Sequence, residues 1–566
     1  MLKHSLVSFA VLVTLITCGF AQQSLPSAAG TANASPSADS PSSPISSSLN
    51  EALDLYRHGK LDDAAAKYQT IIQQDSKAGD AYAGLARTYL KQEKTQGAFE
   101  AAQKGVSAAP DSMAAHTALG EVLFRQAKMG ESEQEFVNVV NSGHADPRAY
   151  LGLARLYDAY SLFAKARTMI NRAHDRDPND PEIQRRWMGT LPRGERIKLL
   201  EEYLAKPTND DAEQHESLQR YLEYLKARAQ QPTKSCKLVS KVKATETALE
   251  PMLIDPRHIQ GYGLKVKVNG QSSRLLLDTG ASGLLINRKM AERAGVERLS
   301  ATKITGVGDK EGPGGYVAFA DSIKIGDLEF QNCPVEVSEK RSVMDDDGLI
   351  GADVFSGFLV TIDFPNQKLR LSELPKRPNE TEKEVSLQTT EEDDPATEPE
   401  EHADDKAAAE KKPSPPPGPQ DRYVAPEMQS YTKIFRFGHE LLIPTRVSGA
   451  PPKLFLIDTG GFANMISPDA AREVTKVHSD SRMQIRGLSG TVKNVYSADK
   501  AVIQFSHFSQ ENQDLVAFDL SKISKHTGTE VSGILGFAML RMLTMKIDYR
   551  DGLVDFDYDA KRFGGR

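Results

Sequence analysis

Two strings in this chain are near copies of one another: LLLDTGAS at 275–282 and LFLIDTGG at 454–461. Each runs an apolar stretch straight into an Asp, and the two carboxylates, Asp278 and Asp458, lie 180 residues apart. An ionised group at the end of a buried run is costly to desolvate unless the fold has a use for it. Asp and Gly favour turns, so one copy alone reads as a turn. Two copies need a shared explanation, and their surroundings match as well. Each string is followed by an apolar run leading into a helix, GLLINRKMAERAG at 283–295 and ANMISPDAAREV at 463–474. A Gly-bearing hairpin comes next, ITGVGDKEGPGGYV at 304–317 and IRGLSGTVKNVY at 485–496. GLIG at 348–351 and GILG at 533–536 then close 73 and 78 residues after the Asp. Both copies end on a strand with a further Asp, TIDF at 361–364 and KIDY at 546–549; Asp363 and Asp548 read as structural. Alternating apolar residues broken by Gly, Asn and Pro predict short strands and hairpins throughout both segments.

Upstream the period changes. Ala64, Ala98, Ser132 and Ala166 stand 34 residues apart, as do Ala86, Gly120 and Ala154. Tyr68 with Phe136, and Pro110 with Pro178, stand two periods apart. Small residues at fixed places let paired helices approach closely, large ones fill the space between, and Pro ends the second helix of each pair. This pattern resembles the tetratricopeptide repeat. Four repeats are expected over 49–180, the first incomplete at its front, with 181–231 forming capping helices.

The duplicated β segment resembles the aspartic peptidases, specifically the retroviral-type lobe, over about 250–374 and 428–560, nearly half of the chain. The resemblance implies two all-β lobes facing each other across a pseudo-twofold axis. Asp278 and Asp458 would then be the catalytic pair. Thr279 and Thr459 would brace the two loops by hydrogen bonds across the axis, with Gly280 and Gly460 making the tight turns. Gly306, Gly308, Gly487 and Gly490 are flap candidates. Two carboxylates held that close share one proton: one acts as base towards a water while its protonated partner polarises the peptide carbonyl. That chemistry calls for no cofactor, metal or covalent nucleophile. The copies differ after the motif, Ala281-Ser282 against Gly461-Phe462.

The expected fold class is therefore multidomain: an all-α tetratricopeptide-repeat solenoid followed by two all-β aspartic-peptidase-like lobes. Lobe 1 is assigned to 232–375 and lobe 2 to 428–566. Residues 22–48, Ser-, Pro- and Ala-rich, read as a disordered tether, and 376–427, acidic and Pro-rich, as a disordered linker. As a flexible coil, that linker would span roughly 40 Å, enough to let both lobes pair within one chain as a catalytic monomer.

Residues 1–21 read as a secretory signal, with Lys3 before an apolar run and cleavage after Ala21. The alternatives are an uncleaved anchor and a lipid attached at Cys18. The expected location is accordingly outside the cytoplasm, periplasmic or secreted, with lipid anchoring as a variant. No later segment reads as a membrane span. Nine Asp or Glu fall within 391–405; without them the formal charge of −7 becomes about +2, so charge points to neither nucleic acid nor an anionic membrane. Cys236 and Cys333 read as buried small apolar groups, their pairing left open. The string DRDPNDPE at 175–182 mimics a calcium loop but has Asp180 where the turn Gly belongs and Arg186 at the last ligand position, so it reads as an inter-repeat turn. DDDG at 345–348 reads as a solvated loop. The expected partners are a peptide or protein substrate and a protein bound on the repeats. A non-catalytic envelope scaffold is the competing reading.

Overall fold

A computed structural model describes residues 44–206, 212–231, 236–255, 258–308, 312–339, 347–378, 419–480 and 483–563. The signal segment, Cys18, most of the tether, the body of the linker and the start of the DDDG string lie outside the described residues.

The helical region is built of antiparallel pairs: Pro44–Arg57 with Leu61–Gln74, Gly79–Lys91 with Thr95–Ala108, Met113–Arg125 with Met129–Asn141, and Pro147–Ala159 with Phe163–Arg176. The small positions earn their place through contact. A Cβ on Gly84 would fall 2.2 Å from the Tyr68 ring, and one on Gly120 or Gly152 would strike Phe136 at 2.6 or 2.3 Å. The first pair is complete, which corrects the expected tether boundary at 48: Pro44 opens its first helix, and Ile45 and Leu49 pack on the repeat core despite the Ser-rich composition. The calcium-like string is a turn and cap. Asp180 accepts from the N–H groups of Glu182 and Ile183 and from Arg148 Nε at 2.7 Å.

Helices Pro181–Met188, Arg193–Leu204 and Ala212–Ala229 follow. The last does more than cap the stack, because Tyr224 and Leu225 pack with Leu299 and Val317 of lobe 1, and Arg228 lies over the Phe319 ring. The repeats also dock on lobe 2. Phe124 meets Phe437, Tyr160 meets Phe435, Thr529 Oγ1 donates to Phe124 O at 2.6 Å, and Glu530 N donates to Arg125 O. The helical region thus bridges both lobes.

Each lobe has its own sheet, of nine and ten strands, and the two share a third sheet of six. At the middle of that shared sheet, Phe358–Asp363 of lobe 1 pairs antiparallel with Leu543–Asp548 of lobe 2, in the register Val360↔Ile547. The TIDF and KIDY strands are therefore the seam between lobes. Asp363 binds Asn366 and Arg370, and Asp548 accepts from Asp551 N. Tyr262, Phe364 and Phe537 meet across the seam with ring centroids 5.6–5.8 Å apart.

One further expectation needs correction, and one open question is answered. The described ends of the linker are packed, not disordered: Arg377 pairs with buried Asp551, Tyr423 N donates to the same carboxylate, and Arg422 Nε donates to its carbonyl. Arg377 Nη1 also reaches Gln420 Oε1 at 2.8 Å, so the segment between leaves and returns at one place and has no 40 Å gap to bridge. Cys236 and Cys333 form a disulfide, tying the start of lobe 1 to the strand Leu328–Ser338; as expected, both are buried. Among the described residues, no helix is long and apolar enough to cross a membrane.

Candidate active site

The strands Gln271–Asp278 and Lys453–Asp458 carry the two Asp to the lobe interface. Behind each lies its Gly-apolar-apolar-Gly strand, paired parallel, with Gly351 opposite Asp278 and Gly536 opposite Asp458. These glycines let the loops sit close: a Cβ on Gly351 would meet Ala281 O at 2.4 Å, and one on Gly536 would meet Ala463 O at 2.1 Å.

The loops lock reciprocally. Thr279 N donates to Thr459 Oγ1 at 3.0 Å and Thr459 N to Thr279 Oγ1 at 3.1 Å. The hydroxyls in turn donate across the axis to Ile457 O and Leu277 O, at 2.8 and 3.0 Å. Gly280 N and Gly460 N each donate to the Asp two residues before, at 2.8 Å. A side chain is barred at both glycines by the opposite carboxyl, since a Cβ on Gly460 would lie 2.3 Å from Asp278 Oδ2 and one on Gly280 would lie 2.9 Å from Asp458 Oδ1.

The structure brings Asp278 and Asp458 side by side at the lobe interface, where a single Cβ on Gly280 would lie 2.9 Å from Asp458 Oδ1 and 3.3 Å from Asp278 Oδ1. Burial and the charge of Asp458 hold Asp278 well above the usual carboxylate range. Burial raises Asp458 too, opposed by the N–H groups of Gly461 and Gly460 and the bond from Asp278. Like charges this close cannot both ionise freely, so the pair retains a proton at pH values where ordinary carboxyls have lost theirs.

The four flap glycines lie above, where two hairpin tips cross. Ser489 N donates to Val307 O at 3.0 Å. A Cβ on Gly308 would come 2.4 Å from Ser489 O, one on Gly487 2.3 Å from Val307 O, and one on Gly306 2.8 Å from Leu488 Cβ. Gly490 sits at φ 94°, a conformation side chains disfavour.

Other residues of the site were not singled out in the sequence. Asp353 is buried and pushed up to about 6 by that burial; it holds Ser282 Oγ at 2.9 Å and Gly283 N at 3.0 Å. Lobe 2 has Ala538 two residues after its Gly strand where lobe 1 has Asp353, and Asn464 Oδ1 takes Gly536 N instead. The position of Asp353 right after GLIG was the available signal. His439, pushed down to about 4 by burial and by His526, and Glu440, pushed up to about 8 by burial and by Asp458, stand beside the pair. Phe462, which the sequence did single out as the residue opposite Ser282, lines the cavity, half exposed.

That cavity, of about 2400 Å³, is lined by the helical region as well as by the lobes. Arg87, Glu121, Arg148 and Arg155 of the repeats and Glu182 of the helix that follows line it together with Asp278 and Asp458. They form a ladder of ion pairs along the inner face, Arg87 to Glu121 at 2.7 Å, Arg148 to Asp180 at 2.7 Å and Arg155 to Glu182 at 2.9 Å. Against the opposing effect of burial, Arg148 and Arg155 hold Glu182 well below the usual range. Among the described residues, no group of three or more His, Cys, Asp or Glu is placed to hold a metal ion.

The aspartyl protease family matches residues 264–354 and again 443–539, and the tetratricopeptide repeat family matches 49–112 and 84–140. UBA domain-containing protein Mud1 of Schizosaccharomyces pombe is 31% identical over 125 residues, 20% of this chain and 36% of that protein. DNA damage-inducible protein 1 of Chaetomium globosum is 31% identical over 136 residues, 22% of this chain and 30% of that protein. The chain spans about a third of the length of these curated relatives. The crystal structure of aspartic proteinase from Irpex lacteus aligns at a TM-score of 0.33 and 11% identity, over 56% of this chain and 98% of that one.

Proposed function

We propose that the two β lobes, each matching the aspartyl protease family model and preceded by tetratricopeptide repeats, form an aspartic endopeptidase whose one active site is made by both lobes of a single chain. The observation that carries this reading is the side-by-side pair of carboxyls on loops locked by reciprocal Thr bonds. With one proton between them, one carboxylate takes a proton from a bound water while the other acid polarises the scissile carbonyl; the attacking oxygen adds to carbon, and the leaving nitrogen then collects a proton from the pair. Crossing flaps exclude bulk water, which strengthens every charge interaction below them.

The repeats line the same cavity as the pair, which supports a role in admitting and aligning substrate rather than in recruiting a distant partner. A cleft bordered by touching hairpins and by the repeats fits an extended chain better than a folded one. The disulfide supports export, since such bonds persist in oxidising compartments. The bordered cleft is also what favours a second reading, a non-catalytic scaffold that grips a peptide in the chamber.

Purified chain incubated with unstructured peptides across the pH range separates the two readings. The peptidase reading expects cleavage that is faster in mild acid, fades as pH rises through the upper value of the pair, is blocked by a statine-containing transition-state mimic and is indifferent to chelators. Absence of cleavage at every pH, with peptides still bound, establishes the scaffold.

A further inference from the structure

The two lobes place different residues at one equivalent point beside the carboxyl pair. In lobe 1, Gly263 pairs with Leu276, two residues before Asp278; in lobe 2, Leu442 pairs with Leu456, two residues before Asp458. Counting back two residues along each strand puts Gly261 opposite Glu440 under the pseudo-twofold axis. In lobe 1 the tip of Leu276 occupies that place, its Cδ1 lying 2.6 Å from where a Cβ on Gly261 would stand. Lobe 2 places a carboxyl there.

Glu440 is 7% exposed, lines the cavity that holds Asp278 and Asp458, and its Oε2 has no hydrogen-bond partner among the described residues. A buried carboxyl oxygen left without a partner is expensive, on the order of 1–3 kcal/mol even when neutral. Nothing in the sheet needs it, because the equivalent strand of lobe 1 forms with glycine. The nearest cationic side chain of its own hairpin, Arg436, turns its guanidinium onto the carbonyl oxygens of Tyr549 and Gly438. An acceptor kept in the cleft at a cost, beside the reacting groups, is what a ligand of opposite charge would satisfy.

We propose that Glu440 forms a subsite for a cationic side chain, lysine or arginine, of the bound peptide, and that it gives an otherwise near-symmetric cleft a direction. The inference rests on the peptide-binding reading of the cleft. The charged and titratable groups that line the cavity with Glu440 include Asp458, Asp278, His439 on its own turn, Arg436 on the preceding strand, and His526, whose ring lies 6.5 Å from that of His439. With burial and Asp458 holding it protonated near neutral pH, an arriving ammonium or guanidinium pairs with the carboxylate, and the displaced proton goes to solvent. Binding of a cation here therefore releases a proton, and acid weakens it.

The test uses the full chain and fluorescent peptides whose scissile amide is reduced to an amine, so that binding is read without turnover. Members of the set are identical except for lysine or norleucine at one position on either side of the reduced bond. At one position the lysine peptide should bind about tenfold or more tightly than its norleucine twin, the scale of one charge-assisted hydrogen bond. That ratio should collapse towards one in Glu440→Gln and be partly kept in Glu440→Asp. An equal ratio in wild type and Glu440→Gln, or no preference at any position, overturns the subsite. Cleavage of the unreduced peptides is read separately: loss of the ratio in Glu440→Gln without cleavage by wild type would sink the peptidase reading and leave the subsite standing.

Discussion

Lobe 1 and lobe 2 solve one geometric problem with the same atoms and surround the solution with different ones. Shared between them are the Asp, the Thr lock, the barred glycine and the strand of glycines behind the loop. Each of these faces the axis, where any change in one lobe is felt by the other. Away from the axis the lobes part company. Asp353 supports the loop in lobe 1 and Asn464 in lobe 2, Glu440 stands where lobe 1 has Gly261, and Phe462 stands where lobe 1 has Ser282. The flaps differ as well: the lobe 2 tip is the tight turn Leu488-Ser489 between Ile485–Gly487 and Gly490–Val492. Sharing a proton requires two matched loops, whereas a peptide has a direction and gains from unmatched walls.

Substitutions should follow that division. The largest loss belongs to the pair itself: Asp278→Asn and Asp458→Asn should each lower kcat by roughly two to four orders of magnitude, the range of a lost general acid or base, with the fold intact by circular dichroism. Substantial activity in either would remove the paired mechanism. Gly460→Ala should come next, costing about 100-fold by displacing the Asp278 carboxyl, with Gly280→Ala milder because its new Cβ has more room; the reverse order in kcat would break the geometric comparison. Thr279→Val and Thr459→Val should destabilise equally, by roughly 2–5 kcal/mol in urea unfolding, since each leaves one buried N–H and one buried carbonyl unpaired in the opposite lobe. Unequal losses would show that the lock is not reciprocal.

The smallest effect concerns Asp353, which has no counterpart in lobe 2. Its folded-state value of about 6 lies above that of an unfolded Asp, about 3.9, so its contribution to stability is full below the latter and lost as pH rises through the former. Asp353→Asn should therefore lose stability less than wild type between about pH 4 and about pH 7, measured as the difference in urea midpoints. A constant difference across that window would mean that Asp353 is ionised throughout.

The parts legible in the sequence were those that repeat. The 34-residue period exposed the helix pairs because small residues such as Gly84 and Gly120 must recur wherever Tyr68 or Phe136 needs a slot. Duplication likewise exposed the DTG loops, the glycine strands and the flap hairpins. What had no second copy was hidden: Glu440 answers to a glycine, Asp353 to an alanine, and the disulfide joins two cysteines 97 residues apart. The helical border of the cleft was hidden for another reason. It depends on contacts such as Phe124 with Phe437, between residues far apart in the chain, each of which reads alone as an ordinary core aromatic. The linker misled because composition speaks for its body, while Arg377, Gln420 and Tyr423 at its ends are held by single specific bonds.

The central claim, one active site made by two unlike lobes of one chain, is met most directly by mixing. Purified Asp278→Asn and Asp458→Asn chains, each inactive alone, are combined at equal concentration, and cleavage is followed beside wild type over a dilution series. Because the shared sheet pairs Phe358–Asp363 with Leu543–Asp548 inside one chain, the account predicts no rescue and a wild-type specific activity that does not change on dilution. Recovery of a sizeable fraction of wild-type activity in the mixture, lost again on dilution, would show that the lobes pair between chains and would contradict it.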